Sequence, residues 1–206
     1  MKKKLLYGIA LNDSETPVRT QIKEDGKIVG HWHCKAYKCW NHILERCYSE
    51  RSLMKSPTYA ECSVCDEWLL FSNFKLWYDK NNIDGYEIDK DLLVRGNKVY
   101  SPDTCLFIHK SINIFLVDYN NTKFKLLNGV TLRGDSGKFR ARCCNPITGK
   151  REALGNFTTE VEAHLVWAKR KNECAAMIAN GDIHMCERTR NALLNIDFRQ
   201  INSSEG

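Results

Sequence analysis

The sequence predicts an α+β protein built in two successive parts, and three observations carry that prediction. The N-terminal half repeats apolar residues at helical spacing between short extended runs, as at Trp40, Ile43, Leu44 and Cys47. Residues 129–157 instead alternate polar and apolar side chains around two turns rich in glycine, the pattern of an antiparallel sheet. At 206 residues, 43% apolar and 27% charged, the chain can bury one large core or two small ones.

Leu5 to Trp32 reads as an extended opening, with a hairpin turn in "KEDGKIVG" around Gly26. "AYKCWNHILERCYS" follows as an amphipathic helix, stopped before Pro57. "FSNFKLWYDK" is a second helix, capped by Ser72, with Phe74, Trp77 and Tyr78 on its apolar face. The polar turn "NNIDG" leads into an extended run ending in "EIDKD". "RGNK" is a turn with glycine at its positive-φ position, and Asn97, Ser101 and Pro102 read as turn residues. "SINIFLVDYNNTKFKLLN" gives a short helix, then a linker marked by Asn120 and Asn121.

"GVTLRGDSGKFRARCCNPITGKREALGNF" predicts three antiparallel strands turning at "GDSG" and "NPITG". Such a sheet cannot bury a face alone. The helix "TTEVEAHLVWAKRKNECAAMIA" supplies the covering layer, with Thr158 as cap, Leu165, Ala168 and Cys174 as apolar contacts, and Gly181 as stop. "CERTRNALLNI" predicts a last helix before a polar, disordered end. The expected divisions are a domain over 1–118, a linker over 119–127, a sheet-and-helix domain over 128–180 and a C-terminal segment over 181–206.

The net charge of +6 is densest from Lys98 to Arg151 and from Lys169 to Arg190, which favours a polyanionic partner. No run is long and apolar enough to span a bilayer, so no membrane partner is expected. Without an export signal the ten cysteines read as reduced thiols of a cytoplasmic protein. Cys62 and Cys65 form a CxxC, half of a structural Zn2+ site. Its other half is irregular, with Cys34, Cys39, Cys47, Cys105, His31, His33 and His42 all eligible, and buried thiols are the favoured reading.

In "GKFRARCC", Lys138, Arg140 and Arg142 share one strand face and Phe139, Ala141 and Cys143 the other. The apolar face must meet the helix, which leaves three cations side by side, extended by Arg133 and Arg151. Arginine suits guanine edges and phosphates. The segment from about Asn128 to Lys171 resembles the AP2 DNA-binding domain, through "GV", "GKFRA", "NPITGK" and "LGNFTTEVEAHLVWA", with Leu154, Gly155, Phe157, Thr159, Glu162, Ala163 and Ala168 on its motif. The resemblance implies double-stranded DNA as partner, faced by Arg133, Lys138, Arg140, Arg142 and Arg151. Thr131 and Cys144 stand where that family often has arginine, so base preference does not transfer.

The stretch "YEIDKDLLVRGNKVYSPDTCLFIHKSIN" places Asp89 and Asp91 around Lys90. From Tyr59 to Phe115 the chain resembles HNH (ββα-metal) endonucleases, with "EIDKD" as strand end, "CLFI" as second strand and "HKSINIF" as helix start; the whole arrangement is similar to phage HNH proteins carrying a C-terminal AP2 domain. That resemblance implies Asp89 and Asn113 as oxygen ligands for Mg2+ or another divalent metal. Lys90 stands where the family has its histidine base, and Thr104 where it has a central asparagine. Lys90, Asp91 and His109 are the candidate bases. The implied function is a homing or mobile DNA endonuclease acting in a host cytoplasm. A catalytically inactive DNA-binding or inhibitory protein is the alternative, and a basic face docking on an acidic protein is a third.

Overall fold

The computed structural model describes residues 5–116 and 126–199. The chain divides into two compact units, residues 1–107 and 108–206, each described by itself. Most of the expected 119–127 linker, and the end of the tail expected to be disordered, lie outside the described residues.

The first unit opens with an antiparallel ribbon of β1 (Arg19–Glu24) and β2 (Lys27–His33), turning at Asp25 and Gly26 where the sequence predicts a hairpin. Helix α1 (Lys35–Tyr48) buries Ala36, Trp40, Ile43, Leu44 and Cys47, the stripe that three- and four-residue spacing produces. A short α2 (Glu50–Lys55) follows before Pro57. Next come β3 (Ser63–Val64), α3 (Phe71–Asn81), β4 (Glu87–Asp89), β5 (Val99–Tyr100) and β6 (Leu106–Ile108). β3 pairs with β5 in parallel, and β4 pairs with β6.

Ser72 does not cap α3 from outside as predicted; it lies within the first turn. Asp13 does the capping from far off in sequence. Its carboxylate accepts the Ser72 N–H at 2.8 Å and the Ser72 hydroxyl at 2.5 Å, satisfying an amide that the helix leaves without a partner. The core behind α1 and α3 is aromatic. Trp68 meets Phe74 edge to face at 4.9 Å, Trp77 stacks on Phe107 at 5.4 Å, and the Trp40 indole N–H donates to the Trp68 carbonyl at 2.6 Å. Each such ring contributes roughly 1.5–3 kcal/mol by burial.

The second unit contains α4 (Lys110–Leu116), β7 (Val130–Leu132), β8 (Phe139–Cys144), β9 (Arg151–Phe157), α5 (Glu160–Ala179) and α6 (Glu187–Asn195). The three strands form one antiparallel sheet in the order β7-β8-β9, as their alternation predicts. Val130, Ala141 and Cys143 are buried on the face that α5 covers.

Two details of α5 differ from expectation. Its cap is Thr159, not Thr158: the Thr159 hydroxyl accepts the Glu162 N–H at 3.2 Å while the Glu162 carboxylate accepts the Thr159 N–H at 3.2 Å. This reciprocal pairing is the physical reason for threonine and glutamate three apart. Leu165 is exposed, because the buried stripe runs through Ala163, His164, Trp167, Ala168, Lys171, Cys174 and Ala175. Lys171 is held inside by donating to the Phe115 carbonyl, with its ammonium 4.0 Å from the Phe115 ring centre, which fastens α4 to α5.

Two glycines of the second unit are dictated by contacts. Gly129 has φ +77° and faces Trp167 so closely that a Cβ would overlap the indole. Gly155, at φ +135°, lies at a β-bulge where the β8-β9 register shifts between Ala141 and Arg142. All ten cysteines are free thiols.

Candidate nucleic-acid interface

The uncovered face of the sheet in the second unit is built by simple alternation. Ala141 and Cys143 point into the core, so Arg140 and Arg142 between them point out. Arg140 pairs in register with Thr131 on one side and Asn156 on the other, and Cys144 pairs with Arg151. Lys138, Arg151, Asn156 and Thr131 are exposed, with Arg140 and Arg142 half-buried among them. Desolvation lowers the Arg140 pKa, and repulsion from Arg133 and Arg142 lowers it further. A bound phosphate would relieve that crowding.

Arg133 differs from the others. Its Nε donates to Asp135 at 2.9 Å and a second guanidinium nitrogen contacts the same carboxylate, which holds Asp135 down to about 2. The neighbouring acid neutralises it. Asn156, which the sequence pattern does not single out, belongs to the face: its Oδ1 accepts from Arg140 Nε at 3.3 Å. Strand register is the signal that could have found it.

The outer row rests on a tied frame. Arg170 of α5 donates to Glu152 of β9 through Nε at 2.7 Å and through a second nitrogen at 3.1 Å. The Asn145 side-chain amide also donates to Glu152, at 2.8 Å, while Asn145 Oδ1 accepts the N–H groups of Ile147 and Thr148. Arg170 first, then Asn145, hold the Glu152 carboxyl down to about 2. Helix, strand and turn are thereby joined beside Arg142 and Arg151. A cleft of about 620 Å³ opens next to them, lined by Phe115, Val130, Trp167, Arg142, Arg151 and Lys171 among others.

The residues of the nuclease-like motif are divided between the units. Asp89, Lys90, Asp91 and Thr104 belong to the first, His109 and Asn113 to the second. Asp89 ends β4, and its Oδ1 accepts the N–H of Asp91 at 3.0 Å and of Leu92 at 2.8 Å. Burial raises its pKa, the Leu92 amide opposes that, and the Asp91 charge adds to the rise. The Lys90 side chain is buried, and its ammonium donates to both Asp91 oxygens, at 2.7 and 2.9 Å, and to the Asn97 carbonyl at 2.6 Å. Held this way, it ties the loop.

Asn97 completes the tie: its amide donates to the carbonyls of Lys90 and Val99, and its Oδ1 accepts the Val99 N–H. Thr104 donates to the Val99 carbonyl at 2.8 Å and meets Ser101, a turn-forming role. His109 precedes α4, where its Nδ1 lies 2.7 Å from the Ser111 hydroxyl and 3.2 Å from the Ser111 backbone nitrogen. Asn113 lies on α4, half-buried.

A hard divalent cation suits the chemistry of Asp89, a desolvated carboxylate whose charge a cation would stabilise. Among the described residues no group of three or more histidine, cysteine, aspartate or glutamate side chains converges as a metal cluster. Cys62 is buried and Cys65 half-buried. Burial raises the Cys65 thiol above its ordinary range, countered by the Trp68 amide. No described helix is long and apolar enough to cross a membrane. Comparison with known proteins finds no matching family, no matching curated protein and no matching solved structure.

Proposed function

We propose that this protein binds double-stranded DNA through the uncovered face of the β7-β8-β9 sheet and that its Asp89 region is an HNH-type endonuclease centre. The observation that carries the reading is the outward row of Lys138, Arg140, Arg142 and Arg151, on a three-stranded sheet whose other face is sealed by one helix. A row of cations fits the phosphate backbone, and Arg140 with Asn156 offers donors and acceptors to base edges. The AP2-like motif falls on β9, which carries part of this face, and on α5, which seals the other.

For cleavage, Asp89 is the proposed ligand of Mg2+ or a similar ion, which when bound would neutralise the leaving oxyanion. Lys90 fixes the loop after Asp89 through Asp91 and Asn97. His109 is a candidate proton-transfer group for this chemistry. Asp91 is the remaining carboxylate for accepting a proton from water, weakened in that task by its lysine partner.

That lysine supports a second reading. A locked Lys90–Asp91 pair where a free base is needed fits a nuclease scaffold retained for DNA binding alone. Incubating supercoiled and long linear duplex DNA with Mg2+ or Mn2+, beside Asp89→Asn and an EDTA control, separates the two. Metal-dependent nicking lost in Asp89→Asn supports the endonuclease; duplex binding without cutting, across a library of target sequences, supports the scaffold.

A further inference from the structure

The ribbon of β1 and β2 is exposed along its whole length: of its thirteen strand residues only Gly30 is even half-buried. An isolated two-stranded ribbon is marginal in water, so one exposed on both faces calls for a partner. Its register sorts the side chains. Arg19 pairs with His33, and Gln21 with His31, on one face, which Lys23 continues beyond the bulge. On the other face Thr20 pairs with Trp32, and Ile22 lies over Gly30, 3.8 Å from where a Cβ would stand. The second face therefore carries the Ile22–Gly30 apolar contact, and the first presents Arg19, Gln21, Lys23, His31 and His33, with Ile28 opposite Lys23 and no carboxylate among them. Glu24 and Asp25 are confined to the tip.

We propose that this ribbon is a second duplex-binding element, laying its Arg19–Lys23 face along the phosphates of a DNA groove. The inference rests on the reading of the protein as a DNA binder and adds a contact outside the sheet. The fit is one of charge and size. Two strands about 4.8 Å apart with their side chains match a major groove about 12 Å wide, and six residues reach roughly 20 Å along it. Glutamine and histidine between the cations are hydrogen-bonding groups for sugar, phosphate or base edge. Joined on one chain to the sheet, a weak second contact raises total affinity without being strong itself.

The test is a fluorescence-anisotropy titration of the full chain on a labelled duplex of arbitrary sequence over a range of salt concentrations. It compares wild type, Arg19→Ala with Lys23→Ala, and Arg140→Glu with Arg142→Glu, with circular dichroism confirming folding and light scattering the oligomeric state. The ribbon variant is expected to bind about tenfold more weakly at low salt, with a log K against log salt slope shallower by about 2, because two cations no longer neutralise phosphates. Unchanged affinity and slope in the ribbon variant, with binding abolished in the sheet variant, overturns the ribbon proposal and leaves the sheet reading standing. No duplex binding by the wild type at any salt overturns both. A ribbon variant that binds DNA as wild type but changes oligomeric state overturns the proposal in favour of self-association.

Discussion

Arg140 of β8 and Asn156 of β9 face each other across the exposed side of the sheet, with the guanidinium Nε 3.3 Å from the amide oxygen. The amide is an uncharged partner, so the cation stays available to a polyanion. Asn156→Asp keeps the shape and sets a carboxylate opposite Arg140. Duplex affinity is expected to fall several-fold and the salt slope to become shallower by about 1, with thermal stability retained. Anisotropy at several salt concentrations measures it, and wild-type affinity in this variant would place DNA elsewhere.

Gly129 carries a stability prediction. Its φ of +77° and the Trp167 ring against it leave no room for a Cβ. Gly129→Ala combines backbone strain with a clash in the core, and is expected to cost about 3 kcal/mol or more. Urea denaturation followed by tryptophan fluorescence checks this; a loss under about 1 kcal/mol would mean that the turn does not press on the helix.

Acid sensitivity is expected at Glu152, whose carboxyl is depressed to about 2 by Arg170 and then Asn145. A depressed folded pKa contributes stability in full above the ordinary glutamate value of 4.5, and the contribution is lost as the pH falls toward about 2. Arg170→Leu should therefore lower the melting temperature near neutrality and flatten its decline on acidification. Parallel melting curves with wild type throughout that range would contradict the coupling.

Asp89 has the opposite sign. Burial raises its pKa, so its contribution is most favourable below the ordinary aspartate value of 3.8 and is lost as the pH rises through the raised one. Asp89→Asn keeps an oxygen for the amides of Asp91 and Leu92 while removing the charge. Its melting temperature relative to wild type should rise between acid and neutral pH. Adding Mg2+ or Mn2+ should stabilise wild type at neutral pH and leave the variant unmoved; equal shifts in both would exclude Asp89 as a ligand.

Much of the second unit was legible because its signals are local. Alternation gave the sheet and its faces, and Thr159 with Glu162 marked the helix start within one residue of the expected cap. Leu165 misled because hydrophobicity alone does not fix helix phase; the buried stripe of α5 runs through Trp167, Ala168 and Lys171 instead. The cap of α3 was illegible for another reason: Asp13 reaches Ser72 from 59 residues away. Lys90 was visible as an anomaly, but its grip on Asp91 and Asn97 depends on a loop closure that spacing does not encode.

Everything proposed for this protein depends on duplex DNA binding by the Arg140–Arg142 row. Its most direct test is the duplex affinity of Arg140→Glu combined with Arg142→Glu, titrated beside wild type at low salt with folding verified by circular dichroism. Wild type is expected to bind with an affinity that weakens with salt, and the variant not at all; undiminished duplex affinity in a folded variant would place the DNA elsewhere.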